Sequence, residues 1–476
     1  MHFTTPDWVK QAIFYQIFPD RFAQSERTFH PKGLQFKPWG APPEEQGFQG
    51  GDLYGVAEKL DYLKDLGVNA LYLNPIFTSA CNHRYHTFDY MTVDPLLGGN
   101  DALRHLLDEA HNRDMKVVLD GVFNHASRGF WAFHHILENG SESPYVDWFH
   151  IDGYPLNPYP RNAEEETNYQ SWWNLPALPK FNTDNPGVRE YLFEVAEFWI
   201  KFGIDGWRLD VPYEIDDDGF WREFRQRVKG INPEAYICGE IWEDAERWLA
   251  GDQFDATMNY QFTGAVLSWF GHTHRRDDYD KEPLNLARDG AEQFSHRINH
   301  VVSLYPEEVS RVQLNLLDSH DTARALWVMG DNLNALKQAY LFTVCVPGVP
   351  CIYYGSEIGM SSGDDPHCRE AYPWQSTESH NHELLDFYRK ANHLRHEFPV
   401  LRQGQFELSV VNDDLVRVDV RSDEQHLVAW FNRSDKSFEL QDLEQMSVQG
   451  YRRVLAAKEE NTIKNISGEN CIVYVS

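Results

Sequence analysis

The sequence predicts an α/β protein: a (β/α)₈ barrel, or TIM barrel, with a small domain inserted after the third strand and a C-terminal all-β sandwich domain. Apolar segments of strand length alternate with helical stretches up to about residue 397. Apolar-throughout strands between helices indicate parallel strands that are covered on the outside. Eight such units fit a barrel. We expect the barrel to comprise residues 1–125 and 186–397, the insert 126–185 and the C-terminal domain 398–476.

The predicted barrel elements follow one another as a helix, a short turn and a buried strand. An open doubly wound sheet is the alternative, but no GxGxxG turn follows the first strand. The segments, in order, are AIFYQIFPDRF (12–22), EKLDYLKDLGVNALYLNPIF (58–77), DALRHLLDEAHNRDMKVVLDGVFNH (101–125), the unit around 191–211, FWREFRQRVKGINPEAYICGEIW (220–242), FDATMNY (254–260), RVQLNLLDSHD (311–321) and ALKQAYLFTVCVPGVPCIYYGSEIG (335–359).

Two stretches break this period. Residues 126–185 are rich in Asn, Pro, Tyr and Trp and are too long for an ordinary loop, which predicts the inserted domain. Within them, Trp172 and Trp173 could form an aromatic platform or a small core, and the sequence leaves both readings open. After residue 397 the strands alternate in polarity (LVRVDVRS, HLVAWFNR, NCIVYVS), which predicts the terminal β domain.

The composition excludes several partners. The net charge of −30, from 43 basic and 73 acidic residues, would repel a nucleic-acid backbone or an anionic membrane surface. A neutral, hydroxyl-rich ligand would be neither attracted nor repelled by that negative charge. Six cysteines without a CxxC pair, and a start without a signal-peptide pattern or membrane-span run, predict a cytoplasmic protein with reduced thiols.

Acids and histidines collect at the predicted carboxyl ends of several strands, where barrels carry their active sites. A single buried Arg–Asp pair could be structural, but convergence from four strands predicts a functional site. The residues are Asp120, Asn124, His125, Arg208, Asp210, Glu240, Asp318, His320 and Asp321.

Two chemistries compete for this site. A catalytic metal is disfavoured by the lack of an HxH or HExxH pair, and Arg208 would repel a cation. Glycoside hydrolysis needs one protonated and one ionised carboxyl group. Arg208 lies two residues from Asp210 on one strand face and should keep it ionised, whereas the apolar segment before Glu240, with Trp242 after it, should raise the pKa of Glu240. Asp210 is therefore the predicted nucleophile and Glu240 the acid/base.

Six ordered motifs then resemble the α-amylase family of retaining glycoside hydrolases along nearly the whole chain. They are DGVFNH (120–125), GIDGWRLD (203–210), GEIW (239–242), LLDSHD (316–321), GVNALYLNP (67–75) and GVPCIYYGSEIG (348–359). The resemblance implies Asp210 as nucleophile, Glu240 as acid/base and Asp321 as the third acid, which stabilises the oxocarbenium-like state. It also implies five substrate-binding residues: Tyr85 stacked on the sugar, His125, Arg208, Trp242 and His320.

Within the family, LPKFN (178–182) resembles a motif of the neopullulanase, cyclomaltodextrinase and maltogenic amylase group. NHRYHTFDY and DVPYE are closest to the cyanobacterial-type debranching enzymes of that group. Two departures leave linkage preference, and the choice between monomer and homodimer, open. The barrel begins without the group's amino-terminal β domain, and Tyr213-Glu214 replaces its Asn-Glu. Many amylases bind structural calcium partly through the position of Asn124; the group varies in this, so no metal ligand is assigned.

The resemblance therefore implies a retaining hydrolase of α-1,4 and some α-1,6 bonds in maltooligosaccharides, cyclomaltodextrins or short-branched glucans. Its chemistry requires no cofactor, although a structural calcium is compatible with it. A transglycosylase on the same scaffold is the first alternative. A non-catalytic glucan-binding protein is the second, and it is disfavoured because all three carboxylates are retained.

Overall fold

The computed structural model describes residues 3–162, 165–440, 446, 450–458 and 465–476. In these ranges the strands are β1 (Phe14–Ile17), β2 (Ala70–Leu73), β3 (Phe77–Ser79), β4 (Thr87–Val93), β5 (Lys116–Gly121), β6 (Gly206–Leu209), β7 (Tyr236–Gly239), β8 (Ala256–Thr257), β9 (Leu314–Leu316), β10 (Val349–Tyr353), β11 (Gln405–Asn412), β12 (Leu415–Arg421), β13 (His426–Asn432), β14 (Phe438–Glu439), β15 (Arg452–Ala456), β16 (Asn465–Ile466) and β17 (Asn470–Val475). The α-helices are α1 (Asp7–Lys10), α2 (Pro19–Phe22), α3 (Leu53–Glu58), α4 (Leu60–Asp65), α5 (Gly99–His111), α6 (Trp131–Asn139), α7 (Pro186–Phe202), α8 (Asp218–Ile231), α9 (Tyr260–Gly271), α10 (Ala291–Ser303), α11 (Glu307–Ser310), α12 (Ala325–Val328), α13 (Leu333–Cys345), α14 (His382–Glu397) and α15 (Val400–Gln403).

Eight parallel strands form the central sheet, in the order β8-β7-β6-β5-β2-β1-β10-β9. An isolated parallel bridge between Met258, just after β8, and Leu314 in β9 joins the two ends of this order. Asn259 strengthens the seam, because its backbone N–H donates to Leu314 O (2.9 Å) and its side chain donates to Asn315 Oδ1 (2.8 Å). The sheet is therefore a closed barrel, and the predicted (β/α)₈ fold is confirmed.

Helix α7 and strand β6 show how local sequence builds one barrel unit. Asn185 caps the helix by accepting from the backbone of Gly187, and the helix ends at Gly203, whose φ of 115° suits glycine. Every residue of β6 is buried. A Cβ on Gly206 would lie 2.3 Å from the carbonyl oxygen of Tyr236 in β7, so only glycine fits there. This close approach fixes β6 against β7 and sets the position of the charged residues that follow.

The insertion lies between β5, the third barrel strand, and α7, as predicted. Antiparallel bridges join Phe149 to Phe181 and Ile151 to Tyr169 in its described part. A bridge between His125 and Lys180 ties the insertion to the chain just after β5. Aromatic rings fill its interior: Phe130, Phe133, Phe149, Tyr169 and Phe181. The boundaries 126–185 stay a prediction.

The C-terminal domain is antiparallel, which confirms the predicted all-β class. Its main sheet has the order β11-β12-β13-β17-β15, and β14 pairs with β16 in a second sheet. On one side, Phe431 packs against Phe342 of α13 at 5.5 Å between ring centroids, which docks the sheet on the barrel. A separate apolar cluster consists of Leu415, Val428, Trp430, Leu440, Met446, Ile466 and Ile472.

Two predicted strands are shorter than their segments. The strand expected over residues 254–260 consists only of Ala256 and Thr257. In the first segment the strand ends at Ile17, and Pro19 begins the short helix α2, since proline cannot donate to a neighbouring strand. In the described ranges no helix combines the length and the apolar character needed to cross a membrane.

Candidate active site

Arg208, at the centre of β6, joins three carboxylates at the mouth of the barrel. Its Nη1 lies 2.9 Å from Asp120 Oδ1 and 3.2 Å from Asp210 Oδ1, and its Nη2 lies 2.8 Å from Glu240 Oε2. Asp120 is the direct register partner of Arg208 on β5. Arg208 is 1% exposed. Since a buried guanidinium is costly unless matched, its three acidic partners account for its place in the core.

Burial raises the pKa of both Asp210 and Glu240, because water is excluded from their charged forms. The negative charge of Glu240 raises the pKa of Asp210 further, while Arg208 lowers the pKa of both acids. The prediction that Arg208 keeps Asp210 ionised is wrong for the free site, because burial and the charge of Glu240 outweigh Arg208 and raise the pKa of Asp210 well above its usual value. Arg208 is shared among three acids rather than paired with Asp210. The two carboxyl groups therefore titrate together, and the pair retains a proton at higher pH than an isolated carboxyl group would.

Glu240 is held through both of its oxygens. Oε2 accepts from the backbone N–H of Val211 (3.1 Å), and Oε1 accepts from Trp242 Nε1 (3.1 Å). Val211 has φ 35°, which is strained for a β-branched residue. The backbone N–H of this residue, directly after Asp210, points at Glu240. Trp242 is fixed in turn by stacking on Tyr260, with 3.5 Å between ring centroids.

His320 and Tyr85 lie next to each other and connect Asp321 with Asp120. The side-chain amide nitrogen of Gln16 lies 2.8 Å from His320 Nδ1, so this ring nitrogen accepts and Nε2 carries the proton. Nε2 then faces Asp321 Oδ2 at 3.0 Å and Tyr85 Oη at 2.6 Å. The rings of Tyr85 and His320 are parallel, and Tyr85 donates to Asp120 Oδ2 (2.8 Å). Burial lowers the pKa of His320, so the ring is neutral at pH 7.

His125 lies on the side of the insert. Its Nδ1 is 3.1 Å from the Asn124 side-chain nitrogen, which leaves Nε2 as the donor. Among the described residues that Nε2 is buried without a partner, so it can serve a ligand. Burial lowers the pKa of His125 to about 3. Its ring stacks on Trp172, which stacks on Trp173 at 4.6 Å. Trp173 is 72% exposed, so it is not part of a core.

Asp321 lies at the outer edge of the site, with 30% of its side chain exposed. Arg369, from the loop after β10, lies 3.3 Å from Asp321 Oδ1 and donates to the backbone oxygen of His320 (2.9 Å). Asp318 belongs to a different environment. Its carboxylate accepts from Ser356 Oγ and from the backbone N–H at the start of α12, so it supports the loop.

Several residues of the site were not found from the sequence. Tyr72 donates to Asp120 Oδ2 (2.7 Å), and Met258 Sδ lies 3.3 Å from Arg208 Nε. Gln16 could have been noticed, because it is the one polar residue in the buried strand FYQI. Tyr72 lies in an apolar segment, Met258 directly after the short strand β8 and Arg369 in the loop region after β10, so their local patterns gave no indication.

The calcium expectation concerns Asn124. Its Oδ1 is buried and has no partner among the described residues. One amide oxygen is far short of the six to eight oxygens that calcium takes, so no ligand set follows from it.

A closed parallel barrel with buried carboxylates gathered at the carboxyl ends of its strands defines an enzyme of the barrel glycoside hydrolase class. The family model described as "Alpha amylase, catalytic domain" matches residues 16–393. The chain belongs to the α-amylase family.

Three known proteins show which members it is similar to. It is 43% identical to a cyclomaltodextrinase of Geobacillus thermopakistaniensis, over 92% of this chain and 71% of that protein. It is 46% identical to neopullulanase 2 of Thermoactinomyces vulgaris, over 84% of this chain and 65% of that protein. The crystal structure of the Nostoc punctiforme debranching enzyme superposes with a TM-score of 0.88 and 43% identity, covering both chains fully. The chain thus spans about two thirds of the two curated relatives and the whole of the solved one.

Proposed function

We propose that this chain hydrolyses α-1,4 and some α-1,6 glucosidic bonds with retention of the anomeric configuration, through a covalent glycosyl-enzyme intermediate. The observation that supports this most directly is the arrangement around Arg208. One guanidinium contacts Asp210 and Glu240 from adjacent strands, and both acids have pKa values raised by burial. Such a pair can hold one proton between two carboxyl groups, which is the starting state for retaining hydrolysis.

In the first step, Glu240 gives its proton to the glycosidic oxygen as that bond breaks, and an Asp210 oxygen bonds to the anomeric carbon. The aglycone leaves with the proton. In the second step, Glu240 takes a proton from water, the water oxygen attacks the anomeric carbon, and the bond to Asp210 breaks. Arg208 stabilises the carboxylate that carries the charge at each stage, because it contacts both acids.

The remaining residues hold the sugar in this proposal. Asp321 stabilises the positive charge of the transition state and is oriented by Arg369. Tyr85 offers its ring to the sugar face, and the N–H of His125 donates to a sugar hydroxyl. The N–H of His320 orients Asp321 and Tyr85 against the sugar. Trp242 keeps Glu240 in place and lines the position of the leaving group.

The substrate class follows from the relatives. Their names refer to cyclomaltodextrins, pullulan and branched glucans. We therefore propose maltooligosaccharides, cyclomaltodextrins and short-branched glucans as substrates, in the cytoplasm, with no metal needed for the chemistry. A structural calcium near Asn124 is left as an expectation without a ligand set.

Product analysis tests this proposal. The purified chain is incubated with maltoheptaose, β-cyclodextrin and pullulan, and the products are followed by chromatography and by proton NMR of the new reducing ends. We expect cleavage with the α-anomer formed first. Products with the β-anomer formed first, or no cleavage of any of the three, would contradict the proposal. Products longer than the substrate from concentrated maltotriose would instead favour transglycosylation.

A further inference from the structure

A group of three metal-ligating side chains lies outside the carboxylate cluster, on the turn between β3 and β4. Cys81, His83 and His86 each offer one ligand atom, and these atoms all lie within 4.8 Å of one another. Cys81 Sγ is 3.1 Å from His86 Nδ1, and the rings of His83 and His86 are 5.0 Å apart at 80°. Ligand atoms around tetrahedral zinc are about 3.5 Å apart, as follows from bond lengths of about 2.0–2.3 Å. Small side-chain rotations would therefore close the group around one ion.

The backbone of this turn is fixed without any metal. Ser79 Oγ donates to the carbonyl oxygen of His86 (2.7 Å) and accepts from the backbone N–H of Cys81 (3.2 Å). Arg84, in a left-handed conformation at φ 59°, is fully buried and bonds Asp94 at 2.9 Å. These contacts hold Cys81 and His86 on the same side of the turn. An ion would thus meet a largely preorganised set of ligands.

The ligand types select the ion. One thiolate with two imidazoles suits a borderline-soft cation such as Zn²⁺ and does not suit Ca²⁺ or Mg²⁺, which prefer oxygen. Imidazole nitrogens are the commonest metal ligands in proteins, and each of the two histidines offers one to the group. All three residues are partly exposed, so an ion can reach them. The positive charge of Arg84 is already paired with Asp94.

We propose that Cys81, His83 and His86 form a zinc site, with water as the fourth ligand, beside the active site. On binding, the Cys81 thiol loses its proton to the buffer and the sulfur bonds to the ion, while each histidine contributes one nitrogen lone pair. No oxidant or reductant takes part. The site is separate from the carboxylate cluster around Arg208.

Zinc at this turn would act on the active site through Tyr85. His83 Nδ1 accepts from the backbone N–H of Tyr85 (3.2 Å), and the two rings stack at 5.8 Å. An ion on Nδ1 removes that acceptor, and an ion on Nε2 needs the ring proton to move to Nδ1, which removes it as well. In both cases the backbone of Tyr85 loses a hydrogen bond that helps to position this residue. We therefore expect zinc to inhibit the enzyme.

Binding is measured first, and this part does not depend on the proposed function. Protein treated with a chelator and dialysed is titrated with Zn²⁺ by calorimetry and with Co²⁺ by absorbance. We expect one ion per chain and a thiolate-to-cobalt charge-transfer band. Cys81→Ser should remove the band, and Cys81→Ser and His86→Gln should each weaken binding more than about tenfold. His134→Gln, at an exposed histidine of α6, is the matched control and should bind as the parent does. Unchanged affinity in Cys81→Ser, or a cobalt complex without the band, would overturn the site.

The second measurement rests on the proposed function and tests the link to Tyr85. Zinc should lower turnover of maltoheptaose about tenfold, as expected for loss of a positioning hydrogen bond, in the parent and in His134→Gln. It should leave the turnover of Cys81→Ser unchanged. Inhibition of Cys81→Ser to the same extent would show that zinc acts at the carboxylates. If calorimetry detects the ion and turnover does not change, the link to Tyr85 is wrong. If the zinc-free parent protein does not cleave maltoheptaose at all, the proposed function is wrong. The binding result would still stand in that case.

Discussion

Glu240→Gln is the change that best separates the two carboxylates. Each oxygen of Glu240 faces a donor: Val211 N and Arg208 Nη2 near Oε2, and Trp242 Nε1 near Oε1. Glutamine has one carbonyl oxygen, and we expect it to face the two donors on the Arg208 side. Its amide then faces Trp242, so this hydrogen bond is lost and the Trp242 N–H is left facing another donor, at a cost of about 1–3 kcal/mol. Since domains unfold with about 5–15 kcal/mol, the fold should remain intact.

The loss of activity should depend on the leaving group. A general acid contributes about 10²–10⁴-fold, or about 3–5 kcal/mol, to cleavage of an ordinary glycosidic bond. Burial raises the pKa of Glu240, and activity needs its protonated form. Parent activity on maltodextrins should therefore fall as the pH rises through that raised pKa, and this basic limb should be missing in Glu240→Gln. An α-glucosyl fluoride needs little protonation, so its first step should survive.

The assay compares maltoheptaose with α-glucosyl fluoride, with and without azide. Azide can attack the glycosyl-enzyme without a base, so Glu240→Gln should yield α-glucosyl azide, with retained configuration. Circular dichroism of the parent and the variant serves as the control for folding. Equal losses on both substrates, without a product from azide, would remove Glu240 from the acid/base role and leave Asp321 as the next candidate.

Three further predictions follow from the same site. Asp210→Asn should lose several orders of magnitude in turnover on both substrates while still binding maltoheptaose in calorimetry, because the nucleophile is removed and the shape is kept; a variant with a tenth of parent turnover would refute the covalent mechanism. Trp173→Ala should raise the KM for maltoheptaose about five- to tenfold, because one ring that stacks on the sugar is lost. Tyr159→Ala, at another exposed ring of the insert, is the control and should leave the KM unchanged. Equal effects of the two changes would show that Trp173 does not contact the substrate. Exhaustive chelation should not lower turnover, since a carboxylate mechanism needs no cation, and a complete loss restored by zinc alone would indicate a metallohydrolase.

The sequence predicted those parts of the site that lie on regular strands. The alternation in GWRLD placed Arg208 and Asp210 on one face, and the two side chains are in contact. The strand ends also gave Asp120 and Glu240, because parallel strands bring their carboxyl ends to one rim. Such residues can be found because strand period and strand direction are local properties.

Other features depend on contacts that no local pattern encodes. To predict that Arg208 contacts three acids, one would need the distance between neighbouring strands, which the local sequence does not give. Arg369 contacts Asp321 from 48 residues further along the chain. The group of metal-ligating side chains on the β3–β4 turn contains neither an HxH nor an HExxH pair. In this turn the spacing is Cys-x-His-x-x-His, and the turn itself brings Cys81 against His86.

The contact between β8 and β9, where the barrel closes, has a consequence for local opening of the site. Between β8 and β9 the backbone ladder is reduced to a single bridge at Met258, and the side chain of Asn259 adds to it. Fluctuations that open a barrel begin where the fewest backbone bonds must break. Met258 also places its sulfur against Arg208 Nε. Met258 thus belongs both to the part of the barrel with the fewest backbone bonds and to the wall around Arg208, so an opening there would bring water to the guanidinium.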